Sequence, residues 1–205
     1  MTTKPTRNLA LELARVTEAA ALSAGRFMGR GDKEAADKAA VDAMRLVLSS
    51  IDMDAVIVIG EGEKDEAPML FNGETVGTGK SPAVDIAVDP IDGTRPLANG
   101  FLNSISTVAI SPRGTMYDPG PFVYMDKIAV GPRAKGLIDI ENPVEENLQI
   151  IAESEDKHIN DVTVVILQRP RHEALIQKVR ACGAPIRLIP DAEAPGALIT
   201  SLDES

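Results

Sequence analysis

Three short acidic segments carry the residue types that could do chemistry: Asp37, Gly60-Glu61-Gly62-Glu63, and Asp89-Pro90-Ile91-Asp92-Gly93-Thr94. Carboxylates at strand ends suit hard divalent cations such as Mg2+ and Mn2+, which take oxygen ligands and leave positions to water or phosphate. Pro90 is expected to end the strand before it, because proline has no N–H for the ladder. Gly93 permits a tight turn, so Asp89 and Asp92 can point into one pocket. The glycines around Glu61 let its carboxylate reach inward without crowding. Asp37 lies four residues before Val41, on the expected apolar stripe of a helix. A carboxylate there needs a partner. Lys33, one turn earlier, would serve, as would a cation or a catalytic hydroxyl. Together the three segments could hold two cations about 3.5–4 Å apart. Each cluster alone reads equally well as solvated loop acids and common turn residues; their conjunction points to metal-assisted phosphate chemistry. With His158 and His172 the only histidines, neither a His-rich zinc site nor a Ser-His-Asp triad can be assembled.

The elements that must position these groups follow from periodicity. Leu9, Leu13, Val16, Ala20 and Phe27 recur at helical spacing, predicting a helix from about Asn8 to Met28. Gly29-Arg30-Gly31-Asp32 breaks it, and Asp32 is the expected N-cap of a second helix to about Ser50, with Val41, Met44 and Leu48 as its core stripe. Apolar runs predict strands over 55–59, 84–88 and 105–110, with a Gly- and Pro-rich loop over 64–83 and a turn over Ser111-Pro112-Arg113-Gly114. Further strands are expected over 127–130 and 137–140, antiparallel neighbours, and a helix over 145–154. From Asp161 the pattern changes to one β-α-β unit: Val162–Leu167, a helix over 172–182, and Ile186–Ile189, with a short helix to follow. The expected domains are residues 1–160, an α+β metal-binding unit, and 161–205, a partial α/β unit. Arg169 and Arg171 follow the first strand of that unit, in the crevice where open α/β sheets bind ligands. Arginine's planar fork suits phosphate oxygens, although a pair of solvated cations would look the same.

The chain has 205 residues, 44% apolar and 25% charged, and a net charge of −10. That balance speaks against nucleic acid, whose binding is driven by Lys and Arg clusters. An anionic substrate is compatible only with cations between it and the protein. Cys182 is the single cysteine, expected as a buried small hydrophobe, so no internal disulfide forms and a reducing, cytoplasmic setting is expected. No run of 18 apolar residues is present, and no membrane span or signal peptide is expected.

Asp89 to Thr94 resembles the signature of the lithium-sensitive metal-dependent phosphatases, which include inositol monophosphatases and fructose-1,6-bisphosphatases. Gly29-Arg30-Gly31-Asp32-Lys33, Gly60 through Leu70, and Arg169-Pro170-Arg171-His172 are similar to segments of the class II (GlpX-type) fructose-1,6-bisphosphatases, a likeness running from about Asn8 to Asp191. The resemblance implies a layered α/β sandwich of the sugar phosphatase type with an incomplete second domain. It implies Mn2+ or Mg2+, two or more ions, on Asp37, Glu61, Asp89 and Asp92. Substrate contacts would fall to Asp92, Gly93, Thr94, Tyr124, Arg169 and Arg171. Thr94 would orient the attacking water, with Asp37 as an acceptor behind it or a direct ligand. The implied reaction removes the 1-phosphate of fructose 1,6-bisphosphate to give fructose 6-phosphate, a step of gluconeogenesis, in a homo-oligomer.

Two departures stand out. The family's Asp-Gly-Asp is Asp191-Ala192-Glu193 here, which puts substrate contact by Asp191 and Glu193 in doubt. The chain also stops about one small domain short of the family pattern. Alternative readings are therefore a truncated, non-catalytic relative that binds metal or joins full-length subunits, and an inositol-phosphate-type phosphatase; the long match from Glu61 to Leu70 disfavours the latter.

Overall fold

Asn8 and Asp32 start the two N-terminal helices as side-chain caps, Asn8 accepting from the Ala10 N–H at 3.0 Å and Asp32 from the Ala35 N–H at 2.9 Å. Each cap satisfies a donor that the first helical turn leaves open. Helix α1 runs Leu9–Gly25 and α2 runs Lys33–Leu48. The computed structural model describes residues 8–61, 70–120, 122 and 125–201. The chain folds as two compact units, Met1–Pro121 and Phe122–Ser205.

In the first unit four strands form a mixed sheet in the order β2-β1-β3-β4. These are β1 (Asp54–Ile59), β2 (Thr75–Val76), β3 (Ala83–Asp92) and β4 (Ile105–Pro112). β1 and β3 are parallel; the other two pairs are antiparallel. Helices α1 and α2 pack over Ala55, Ile57, Val84, Ile86 and Val88, which alternate along the strands and face the helices. The deep residues of α2 are Ala36, Ala40, Met44 and Leu48, while the expected stripe residue Val41 is only partly buried. Small alanines let the helices approach closely, which pushes Val41 to the flank.

Several sequence expectations shift. β3 does not end at Pro90; it runs on to Asp92, with a register shift against β4 between Asp89 and Asp92. A bulge tolerates a proline because the extra residue leaves the ladder. β4 likewise continues to Pro112, so the turn begins later than Ser111. The two-residue β2 lies inside the expected loop, too short to show a period. The strands expected over 127–130 and 137–140 are absent: those residues are irregular or turns, beside a 3-10 turn at Pro132–Ala134. Their apolar side chains Ile128, Leu137 and Ile140 are exposed. Apolar residues make a strand only with a neighbouring ladder.

The second unit holds α4 (Val144–Glu155), β5 (Val164–Leu167), α5 (Glu173–Ala181), β6 (Ile186–Ile189) and α6 (Glu193–Ile199). β5 and β6 are parallel with α5 between them in sequence, the expected β-α-β unit. Its core is Leu148, Ile166, Ile176, Val179 and Ala184, with Cys182 partly buried against it. Leu148 lies on α4, so that helix packs with the β-α-β unit and the compact unit begins well before Asp161.

A buried carboxylate fixes the far end of the sheet. Asp85, 3% exposed, accepts the backbone N–H groups of Gly114, Thr115 and Met116 at 2.6, 3.0 and 3.2 Å. Asp85→Ala leaves those donors without their acceptor and should lower stability by about 2–4 kcal/mol. A urea denaturation midpoint equal to the parent's would contradict that role.

Candidate metal centre

Parallel pairing brings two acidic segments to the same end of the sheet. Ile59 of β1 pairs with Ala87 of β3, and Glu61 and Asp89 each lie two residues beyond that pair. Regular strand geometry would turn Asp92 to the opposite side from Asp89, since they are three positions apart. The bulge cancels this. Asp89 pairs with Thr107 and Asp92 with Ile105, partners two apart on β4, so both carboxylates lie on one side. Gly93 then takes φ 95°, a left-handed turn suited to glycine, and opens the short helix α3 (Thr94–Ala98). The Thr94 hydroxyl donates to the Ile91 carbonyl at 3.2 Å and the Ser104 hydroxyl to the Gly93 carbonyl at 2.7 Å.

Glu61 is held through its backbone. The Gly60 N–H donates to Asn72 Oδ1 and the Glu61 N–H to the Leu70 carbonyl, both at 2.8 Å. A Cβ on Gly60 would stand 2.0 Å from that carbonyl oxygen; only glycine allows the approach. Leu70 itself sits at φ 57°, a left-handed conformation costing a bulky residue about 1–2 kcal/mol. Gly62 and Glu63 lie outside the described residues.

Asp37 comes from the first turns of α2, half-buried beside Ala36 and Ala40. The Gly29-Arg30-Gly31 break sets its position relative to the Asp89–Thr94 segment. The Gly29 N–H donates to the Leu97 carbonyl at 3.0 Å and the Gly31 N–H to that of Ala98 at 2.8 Å. A Cβ on Gly100 would meet the Gly29 Cα at 3.3 Å. The α1–α2 connection is thus docked on the end of α3.

Electrostatics tie the carboxylates together. Glu61 is pushed up to about 7, mainly by burial and in addition by the charges of Asp37 and Asp89. Asp89 is raised to about 6, mainly by burial, with Asp92 and Asp37 contributing to the rise and the Ile91 N–H opposing it. Asp37 is raised by burial, with Lys33 pulling the other way. Lys33 is therefore near Asp37, as its helical spacing indicated, but desolvation outweighs it. These are like charges crowded where water is scarce, the environment that favours a bound cation.

The donor set fits divalent ions in a particular manner. Among the described residues, no three of His, Cys, Asp and Glu converge into a cage for one ion. Mg2+ is ordinarily held by one or two carboxylates, with water and substrate phosphate completing its octahedron. Pairs of carboxylates sharing ions and a phosphate match that habit; a closed all-protein site does not.

The expected substrate-side residues of the second unit form their own group. Arg169 donates to the carbonyls of Gln168, at 3.2 Å, and Pro190, and to Asp191 Oδ1 at 2.6 Å. It clamps the carboxyl ends of β5 and β6. Glu193 is ion-paired with Lys127. Ala192, where the family pattern has glycine, is buried at φ 66°. Arg171 follows in the 3-10 turn Pro170–His172. Tyr124 lies outside the described residues.

Sequence reasoning missed two groups near the centre. Glu74, 7% exposed, accepts from Arg45 Nε at 2.8 Å, and Thr107 faces Asp89 across the ladder. Thr107 could have been found only by knowing the register of β3 against β4. Glu74 stood in a loop by composition.

Comparison with known proteins gives the family of the chain. The family described as bacterial fructose-1,6-bisphosphatase, glpX-encoded, matches residues 7–205. Class 2 fructose-1,6-bisphosphatases of Escherichia coli K12, Escherichia coli O6:H1 and Shigella flexneri are each 47% identical over 199 residues, 97% of this chain. The chain belongs to this GlpX-type fructose-1,6-bisphosphatase family. It spans 59% of the length of those relatives.

Raised carboxyl groups link the centre to pH. The cation-free folded chain holds protons on Glu61 and Asp89 that the unfolded chain releases from ordinary values of 4.5 and 3.8. This contribution to stability is full below those ordinary values and is lost as pH rises through about 6 and 7. A cation must displace the same protons. Mn2+ binding near pH 6 should release protons, and above about pH 8 should release almost none. Calorimetry in buffers of different ionisation heat reads this; pH-independent affinity without proton release would contradict the assignment.

Proposed function

We propose that the chain carries the metal-binding part of a fructose-1,6-bisphosphatase, hydrolysing the 1-phosphate to leave fructose 6-phosphate, a gluconeogenic step. The observation that carries this reading is the mutual electrostatic influence of Asp37, Glu61, Asp89 and Asp92, in a chain of that family. Mn2+ or Mg2+, two or more ions, would be held by these four side chains. When bound, such ions acidify water and neutralise charge on the phosphate during in-line displacement. The layered sandwich of the sugar phosphatases is the corresponding fold, and a cytoplasmic homo-oligomer the corresponding setting.

The chain's own residues have distinct tasks. Thr94 keeps its hydroxyl hydrogen on the Ile91 carbonyl, which leaves the oxygen lone pairs to accept from a water and aim it. Asp37, whose proton affinity is raised by burial, can as a carboxylate take the proton that water loses. Asp92 and the Gly93 backbone lie beside Thr94 and would contact the sugar phosphate. In the second unit, Arg169 and Arg171 are of the type that binds phosphate oxygens, with Arg169 positioned by Asp191.

That pairing also favours a second reading, metal binding without turnover, since Arg169 and Asp191 satisfy each other and Glu193 is engaged by Lys127. Phosphate release from fructose 1,6-bisphosphate with Mn2+ or Mg2+ separates the two. Turnover is expected, and Asp89→Asn should lower it about a hundredfold or more. Unchanged turnover in that variant removes Asp89 from the mechanism; metal binding with no turnover in the parent supports the second reading.

A further inference from the structure

Glu74 is a nearly fully buried carboxylate in a segment otherwise made of turns, and its bonds lead to Glu61. One oxygen accepts from Arg45 Nε of α2 at 2.8 Å. The other accepts the backbone N–H of Leu70, and that of Phe71 at 3.4 Å. Leu70 returns its carbonyl to the Glu61 N–H and presses on Gly60. The Glu74 backbone is also tied to β1, its carbonyl accepting from the Ile57 N–H at 2.9 Å. A continuous path therefore runs from α2, which carries Asp37, through Arg45, Glu74 and Leu70 to Glu61.

Two features mark this path as more than a loop anchor. Leu70 is a bulky residue at positive φ, and such strain persists where surrounding bonds over-determine it, typically beside functional groups. Glu74 supplies one of those bonds and Gly60 the space for another. The charge on Glu74 is matched by Arg45 at 2.8 Å, so it adds no unpaired anion to a crowded acidic field.

We propose that Glu74 is the positioning residue for Glu61, locking the Leu70 turn against Gly60 so that the carboxylate meets a cation in common with Asp37 on α2. This rests on Glu61 being a metal ligand. Groups that orient ligands from behind commonly change metal affinity ten- to a hundredfold when removed.

The test is Mn2+ affinity, by calorimetry, of the full chain and its Glu74→Ala, Glu74→Gln and Arg45→Met variants, with thermal melts to identify folded protein. Glu74→Ala should bind about ten- to a hundredfold more weakly. Glu74→Gln should recover much of the loss, because its amide oxygen still accepts from Leu70 and Phe71. Arg45→Met, altered at a half-exposed position, should fold and weaken binding if Glu74→Ala does not fold. A Glu61→Gln background distinguishes the two layers of the argument. With the ligand gone, Glu74→Gln and Arg45→Met should cause no further loss; additive losses mean general loosening and overturn the proposal. Parental affinity in folded Glu74→Ala or Arg45→Met overturns it too. Parental affinity in Glu61→Gln alone instead removes Glu61 as a ligand, and with it the reading beneath.

Discussion

Mutual repulsion among half-buried carboxylates is the constraint around which the first unit is organised. Asp37, Glu61 and Asp89 each lose hydration on folding, and each of the latter two is pushed further from its ordinary ionisation by neighbouring acids. Left to side-chain flexibility, such groups would turn outward to water. The fold denies them that freedom by fixing the backbone on either side. Holding them costs stability near neutral pH, a cost that a cation sharing the space would remove.

The devices that hold them are mostly backbone features. A bulge at Pro90 and Ile91 brings Asp92 to the side of Asp89. Gly60 admits the Leu70 carbonyl at a distance no side chain would permit. Gly29 and Gly31 donate to the last carbonyls of α3, which ties the Asp37 helix to the segment bearing Asp89 and Thr94. Asp85 and Glu74, the buried acids outside the cluster among the described residues, satisfy backbone donors and Arg45 or Arg113. Asp85 and Glu74 thus hold turns through backbone donors, whereas Glu61 and Asp89 face other acids.

Much of this was legible in the sequence where a local rule acts alone. Asn8 and Asp32 announce helix starts because capping depends on the residue and its next three neighbours. Val164–Leu167 announces a strand by an unbroken apolar run, and Ile186–Ile189 by a short one interrupted only by Arg187. The candidate ligands were visible because carboxylates at strand ends have few structural reasons to cluster. What was hidden depended on distant partners. The fate of Pro90 turns on whether β4 opposes it at a bulge, which no local rule encodes. Residues 127–130 and 137–140 have strand-like composition, but they find no ladder, and Ile128, Leu137 and Ile140 stay exposed. Glu74 looked like a solvated loop acid because Arg45, its partner, is 29 positions away.

The central claim is spatial: cations bind between Asp37, Glu61 and the Asp89–Asp92 turn. Anomalous diffraction at the manganese edge, from crystals of the chain soaked in Mn2+, locates the ions directly. The account predicts peaks bridging these carboxylates, each within about 2.0–2.3 Å of ligand oxygens. Strong peaks elsewhere, with none among these four side chains, would contradict it.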